Sequence, residues 1–464
     1  MDRNNIAYDL VIIGAGPAGY TAAQEAAAKG MKTALIEKRE LGGTCLNRGC
    51  IPTKTILHSA ELFAQMRSGE QLGISAENVT CDMARVQKRK DEVVEQLRAG
   101  IAMLMKKGKV DVYYGEASVT GLHEVSIRTE SEVIMLSADK ILIATGSVPS
   151  LPPIPGIHLP NVVTSDELLS KQELYPRLTI VGGGVIGMEF ASIYNALGCQ
   201  VTVIEFLDRI LANMDKEISQ NLKMILKKRG VDIHTGARVE EILEGQDGAL
   251  ICRYTEKDTE KTVESDGILI AAGRRTATEG LFGPDVEVAA ERGKILVNEY
   301  GQTSVPNIYA AGDVTPGIQL AHVASAEAVN AVAHMASAGN DMMQQDMTMC
   351  MDVIPSCVYT SPEIGCVGLT QEEAKTKNID VIIKKYPMSA NGKTVLTGQE
   401  RGFIKVVAEK ESHRILGAQM MCARATDMIS EFGTAIVNGL TLEQMAIVVR
   451  PHPSFSEGIS EAVK

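Results

Sequence analysis

The sequence predicts an α/β protein: two strand–turn–helix–strand repeats, each built on a parallel sheet, followed by a separate α+β unit. Three observations predict it. One pattern occurs twice, as "YDLVIIGAGPAGYTAAQEAAAKGMKTALIEK" from residue 8 and as "RLTIVGGGVIGMEFASIYNALGCQVTVIEF" from residue 177. A second pair of echoes, "DKILIATGSVP" (139–149) and "DGILIAAGRRT" (266–276), reads as a buried strand returning to each sheet. From about residue 351, strand-like runs give way to helix-like segments at 425–439 and 442–449, with no glycine-rich motif among them.

Each copy of the first pattern is a β-branched run, a G-x-G-x-x-G turn, an Ala-rich helix and a second apolar strand ending in glutamate. The glycines are Gly14, Gly16 and Gly19 in the first copy and Gly182, Gly184 and Gly187 in the second. The first glycine permits a tight turn, the second lets the backbone approach a pyrophosphate, and the third packs helix against strand. The helix N-terminus then offers free N–H groups and a positive dipole end to phosphates. Glu37 and Glu205 each lie 18 residues beyond the third glycine, placed to accept hydrogen bonds from a ribose. A lone glycine motif is weak evidence. Here strand, helix, second strand and acid are all present, in duplicate, so both copies read as Rossmann-like dinucleotide sites.

The second pair of echoes measures how the copies differ. Gly19 to Gly146 spans 127 residues and Gly187 to Gly273 spans 86, so the first copy is about 41 residues longer. The stretch "GGTCLNRGCIPTK" (42–54) and the helical region after it, roughly 42–105, fall in that longer segment. Cys45 and Cys50 therefore sit beside the first nucleotide. Four prolines between 149 and 155 read as a stiff linker. "TSVPNIYAAGDV" (303–314) reads as one more buried strand, running into Gly312 and Asp313. The expected domains are 1–148, 149–275, 276–350 and 351–464, the third completing the sheet of the first.

Composition narrows the class. At 464 residues the chain exceeds one ordinary core. A net charge of −12 argues against a nucleic-acid surface. No apolar run reaches the ~18 residues of a membrane span. The N-terminus lacks the basic, apolar and small-residue order of a signal peptide, so a cytoplasmic location is expected. Nine cysteines, an odd number spread along the chain, do not look like a secreted disulfide framework. Cys81, Cys199, Cys252, Cys350, Cys357, Cys366 and Cys422 read as small buried hydrophobes. Cys45 and Cys50 could bind a metal, brace the fold or cycle between thiol and disulfide.

Taken together, "GGTCLNRGCIPTK", the two glycine motifs, "ATGSVP", "AAGRRT", "NIYAAGDV" and the C-terminal "HPSFSE" resemble the flavin-dependent pyridine nucleotide–disulfide oxidoreductases, along the whole chain and in the family's order. The resemblance implies FAD on the first motif, a nicotinamide dinucleotide on the second, a redox-active Cys45–Cys50 disulfide beside the flavin and a C-terminal domain that forms a homodimer. It carries Gly14, Gly16, Gly19, Glu37, Lys54, Gly146, Asp313 and Ala321, in "QLAH", over as FAD contacts. Gly182, Gly184, Gly187, Glu205 and Gly273 are the corresponding contacts for NAD.

The spacing of the two cysteines agrees with cycling. At i and i+5 of a regular helix their Cα atoms would be about 8–9 Å apart, beyond the ~7 Å a disulfide tolerates. The bond requires the helix to be unwound near Gly49. Its small loop stabilises little, and no second Cys/His pair completes a zinc set. Arg48 between them could favour a thiolate, or be a solvated charge or a contact to flavin phosphate. Lys54 fits the family's lysine near the flavin and Glu189 its ion-pair partner. Thiol oxidation releases protons, and a histidine suits their capture. His452, oriented by the carboxylate of Glu457, fits the family's pattern, in which this histidine reaches the disulfide of the other subunit.

Glu205 would repel the 2′-phosphate of NADP, so NAD is expected. The last cysteine is Cys422, so the C-terminal redox pairs of mercury-type and large thioredoxin-type reductases are not expected. Within the family the chain is most similar to members that oxidise protein-bound dihydrolipoamide with NAD+. Lipoylated proteins of 2-oxoacid dehydrogenase or glycine-cleavage systems would be the partners, and no metal is expected. The alternative is a related NAD(P)H-dependent reductase of small disulfides such as glutathione disulfide.

Overall fold

The computed structural model describes residues 6–337, 349–399 and 401–464. The first five residues of the first expected domain and 338–348 of the third lie outside them. The apolar run of the first copy forms β1 (Ile6–Ile13), whose Leu10, Val11 and Ile12 are fully buried. The glycine turn leads to α1 (Pro17–Ala28), with Pro17 at its first position and Ala18, Ala22, Ala23 and Ala26 buried beneath it. Proline at the start of a helix loses no hydrogen bond, and alanine lets the helix lie close to the sheet. Beyond β2 (Thr33–Glu37) the extra segment folds as α2 (Gly43–Arg48), α3 (Cys50–Arg67) and α4 (Met83–Lys107). The chain then returns through β3 (Asp111–Tyr114), β4 (Glu116–Gly121), β5 (Glu124–Arg128) and β6 (Val133–Ile143). The sheet order is β3-β2-β1-β6-β5-β4, with β1, β2, β3 and β6 parallel.

β7 (Ser147–Pro149) leads out of this unit. The second unit contains β8 (Val162–Thr164), α5 (Ser165–Leu168), β9 (Arg177–Val181), α6 (Val185–Ala196), β10 (Gln200–Glu205), α7 (Lys216–Lys228) and β11 (Asp232–Thr235). An antiparallel meander, β12 (Ala237–Glu244), β13 (Leu250–Glu256) and β14 (Thr259–Ser265), precedes β15 (Gly267–Ile270) and β16 (Arg274–Thr276). The parallel order is β11-β10-β9-β15-β8. The ends of the two sequence echoes meet in space. β7 pairs antiparallel with β16, Pro149 opposite Arg274 and Ser147 opposite Thr276. The proline-rich stretch is docked rather than free-standing: Ile154, Ile157 and Leu159 pack with Val181, Ile204 and Ile268, and Ile242 N donates to Pro155 O at 2.8 Å.

A two-strand ribbon, β17 (Ala290–Glu291) and β18 (Lys294–Ile295), precedes β19 (Ile308–Ala310). β19 pairs parallel with β6, Ile308 opposite Ile141 and Ala310 opposite Ile143. The following helix, α8 (Ala321–Ala336), packs against α1. The C-terminal unit holds β20 (Ser356–Val358), β21 (Ile364–Gly368), α9 (Gln371–Thr376), β22 (Val381–Pro387), α10 (Gly392–Leu396), β23 (Phe403–Glu409), β24 (Ile415–Met421), α11 (Ala425–Val437), α12 (Leu442–Ala446) and α13 (Glu457–Ala462). Its antiparallel order is β20-β21-β24-β23-β22. A buried ion pair ties it to the second unit: Lys405 Nζ on β23 lies 2.7 Å from Asp215, which caps α7.

Cysteine burial departs from expectation at one position. Cys199, Cys252 and Cys422 are buried, and Cys81, Cys357 and Cys366 partly so, but Cys350 is exposed because it sits in a segment outside any strand or helix. Among the described residues no helix is long and apolar enough to cross a membrane, and no group of three or more potential ligands could hold a metal.

Candidate active site

Both glycine turns open into one cleft of about 2160 Å³. Its walls include Gly14, Gly16, Gly146, Asp313 and Ala321 from the first unit, and Gly182, Gly184 and Gly273 from the second. Cys45, Cys50, Lys54 and Glu189 line the same cleft. The third glycines do not line it. A Cβ on Gly19 would stand 1.8 Å from Gly14 O, and one on Gly187 would stand 2.0 Å from Gly182 O. Each lets its helix start against the preceding turn, which is the packing role the motif requires.

The two glutamates do a local job as well. Glu37 Oε2 accepts from Ala15 N and Oε1 from Arg39 N, both at 2.8 Å. Glu205 repeats this with Gly183 N and with Leu207 N, the latter at 2.6 Å. Both carboxylates line the cleft, and each braces its turn. Opposite them, Asp313 accepts from Ser147 Oγ at 2.5 Å, and Arg274 Nε donates to the same Ser147 oxygen at 2.7 Å.

Sequence reasoning missed Ser147, Arg274, Thr145, Glu327 and Tyr359. Ser147 and Arg274 did carry a signal, since each sits in one of the paired echoes. The Thr145 hydroxyl is buried at the cleft without a hydrogen-bond partner, the condition of a group awaiting a ligand. Glu327 on α8 accepts from Gly312 N at 2.6 Å, and burial pushes its carboxyl up to about 7.

The cysteine pair sits at a helix break. α2 ends at Arg48, Gly49 takes φ −142° and ψ −111°, and α3 begins at Cys50. The interruption needed for the two sulfurs to meet is therefore built into the backbone. The thiols are unbonded here and titrate apart: a hydrogen bond from Cys45 and the Lys54 ammonium bring Cys50 down to about 7, while Cys45, acting as donor and partly buried, is pushed up. The influential cation is thus Lys54 rather than Arg48. Arg48 turns away to pair with Glu40, whereas Lys54 lies one helical turn beyond Cys50 on the same face.

Lys54 Nζ is 2.7 Å from Glu189 Oε2, the expected pair, with Glu189 almost fully buried on α6. Glu189 Oε1 accepts from Tyr359 N at 3.0 Å, and Lys54 Nζ lies 4.5 Å above the centre of the Tyr359 ring.

His452 and Glu457 are paired, with Nδ1···Oε1 at 2.8 Å. Hydrogen bonding from Ser454 N and then His452 holds the Glu457 carboxyl below its ordinary range. Neither lines the cleft, and the imidazole is 80% exposed. Within one chain, then, the structure does not bring this pair to the cysteines.

Comparison with known proteins defines the class. Residues 8–328 match the pyridine nucleotide-disulphide oxidoreductase family, and residues 354–463 match that family's dimerisation domain. The chain belongs to this family, with FAD and NAD as its cofactors. The particular relatives are consistent. A dihydrolipoyl dehydrogenase of Bacillus subtilis is 43% identical over 98% of this chain and 97% of that protein. One from Chlamydia pneumoniae is 40% identical over 97% and 95%. Among solved structures, LpdA from Mycobacterium tuberculosis superposes with a TM-score of 0.89 at 26% identity, covering 99% of both chains. The copper(II) complex of the HOCl-induced flavoprotein disulfide reductase RclA from Escherichia coli gives 0.87 at 32%, covering 98% and 99%.

Proposed function

We propose that this protein is a dihydrolipoyl dehydrogenase, oxidising protein-bound dihydrolipoamide to lipoamide and reducing NAD+ to NADH. One observation carries the reading: Cys50, brought down to about 7 by the Cys45 donor and Lys54, faces a cleft that both dinucleotide turns share. The first turn, with Glu37, Gly146, Asp313 and Ala321, would hold FAD. The second, with Glu205 and Gly273, would hold NAD. When bound, FAD accepts an electron pair from the dithiol and NAD+ carries it away as hydride.

The chain's own residues handle sulfur and protons. His452 of the partner subunit takes a proton from one dihydrolipoamide thiol, and Glu457 orients the ring and stabilises the imidazolium. The substrate thiolate attacks Sγ of Cys45 in the disulfide form. The S–S bond breaks, and Cys50 leaves as a thiolate that Lys54 stabilises. The second substrate thiol then attacks the substrate sulfur bound to Cys45. Lipoamide closes as His452 returns the first proton to the departing Cys45 sulfur and takes up the proton of the second substrate thiol. One of the two substrate protons thus ends on Cys45 and the other on the imidazole. The exposure of His452 in a single chain supports its action in trans. Lipoylated proteins of 2-oxoacid dehydrogenase or glycine-cleavage complexes are the partners this reading implies, and reducing thiol usage supports a cytoplasmic home.

Anaerobic titration of the purified yellow protein with dihydrolipoamide tests it. A long-wavelength thiolate–flavin absorbance is expected, and NAD+ is expected to discharge it. The likeness to RclA favours one rival, a reductase consuming NAD(P)H. Steady-state rates with dihydrolipoamide plus NAD+ against glutathione disulfide plus NADPH separate the two, and negligible rate in the first assay would sink the proposal.

A further inference from the structure

We infer that Tyr359 is a positioning residue that holds the Lys54 ammonium where it stabilises the Cys50 thiolate. Tyr359 comes from the C-terminal unit, just past β20, yet lines the cleft of the two nucleotide turns. Its ring lies 4.5 Å from Lys54 Nζ, on a cation that also pairs with Glu189 at 2.7 Å. Its backbone N–H donates to the other oxygen of that carboxylate. One residue thus grips both members of the pair, the lysine through the face of its ring and the glutamate through its main chain.

Every packed element contributes a group here. Cys50 is faced by Cys45 from α2, Lys54 from its own helix, Glu189 from α6 and Tyr20 from α1. Lys54 is faced by Glu189, Tyr359 and Cys357. Glu189 opposes the thiolate that Lys54 favours. The position of the ammonium between thiolate and carboxylate therefore decides how much of its charge Cys50 feels. Without the ring, the flexible lysine stem is free to follow Glu189 alone. The phenol plays no part, since its oxygen makes none of these contacts.

The inference rests on the reading of Cys50 as the flavin-facing sulfur, and the test separates the two. The parent is the FAD-loaded C45S enzyme, in which a serine hydroxyl still donates to Cys50. Its long-wavelength thiolate–flavin absorbance is titrated with pH. Absence of that band at every pH overturns both the reading and the inference. With the band present, Y359L is expected to lower the thiolate fraction two- to fivefold, moving the midpoint upward by about half a pH unit, as a ring–ammonium contact implies. Y359F keeps the ring and is expected to overlay the parent. K54M is expected to shift the midpoint at least as far, and Y359L added to K54M to shift it no further. A Y359L midpoint equal to the parent's overturns the inference, as does an undiminished Y359L shift in the K54M background. Flavin content and melting temperature of each variant establish that it is folded.

Discussion

Replacing Glu205 by alanine separates the two nucleotide sites. Its carboxylate is buried and accepts from Gly183 N and Leu207 N, so truncation releases two backbone donors of the turn that would hold NAD. Hydrogen bonds to a charged acceptor contribute about 1.5–3 kcal/mol each. Water entering the vacated space replaces much of that, leaving about 1.5–3 kcal/mol for the two together. At tenfold per 1.4 kcal/mol this is a ten- to 150-fold rise in KM for NAD+. The assay is steady-state turnover with dihydrolipoamide saturating and NAD+ varied, alongside flavin content by absorbance. Flavin content is expected to be unchanged, because Glu37 makes the equivalent bonds at the first turn. A KM within twofold of the parent would refute the reasoning, as would loss of flavin in proportion to activity.

Three further outcomes follow from the geometry. If His452 acts in trans, refolding H452Q together with C45S restores activity that neither homodimer has, in proportion to mixed dimers resolved by differential tagging. K405M strands Asp215, which is buried, and is expected to lower stability against urea by about 3 kcal/mol. D215N/K405M is expected to recover most of this, because asparagine still caps α7; equal losses in both variants would contradict the ion-pair account. Cys50 is depressed from its ordinary value near 9 to about 7, so its thiolate is present above that value and lost as pH falls through it. The thiolate–flavin band of the two-electron-reduced enzyme should fade on acidification with a midpoint near there.

Much of this was legible in the sequence because the governing contacts are local. A glycine turn, the helix it starts and the acid closing the second strand lie within some thirty residues, and all appear where the motif puts them. The break between α2 and α3 was foreseeable for the same reason, since the i, i+5 spacing leaves the sulfurs no other way to meet. Arg48 shows where adjacency misleads. It stands between the cysteines in sequence, but the break at Gly49 ends its helix and turns it toward Glu40, while Lys54 shares the face of Cys50.

By itself the sequence determined two dinucleotide turns, the extra segment carrying Cys45 and Cys50, and a late buried strand running into Gly312 and Asp313. Periodicity and glycine placement act through neighbouring residues, so a linear reading recovers them. Only the tertiary structure decided that β7 meets β16, that Ser147 joins Asp313 to Arg274, and that Tyr359 reaches from the C-terminal unit to grip Lys54 and Glu189. Those contacts join residues more than a hundred positions apart in the chain. Their partners are chosen by how the packed units dock, and no local pattern encodes that choice.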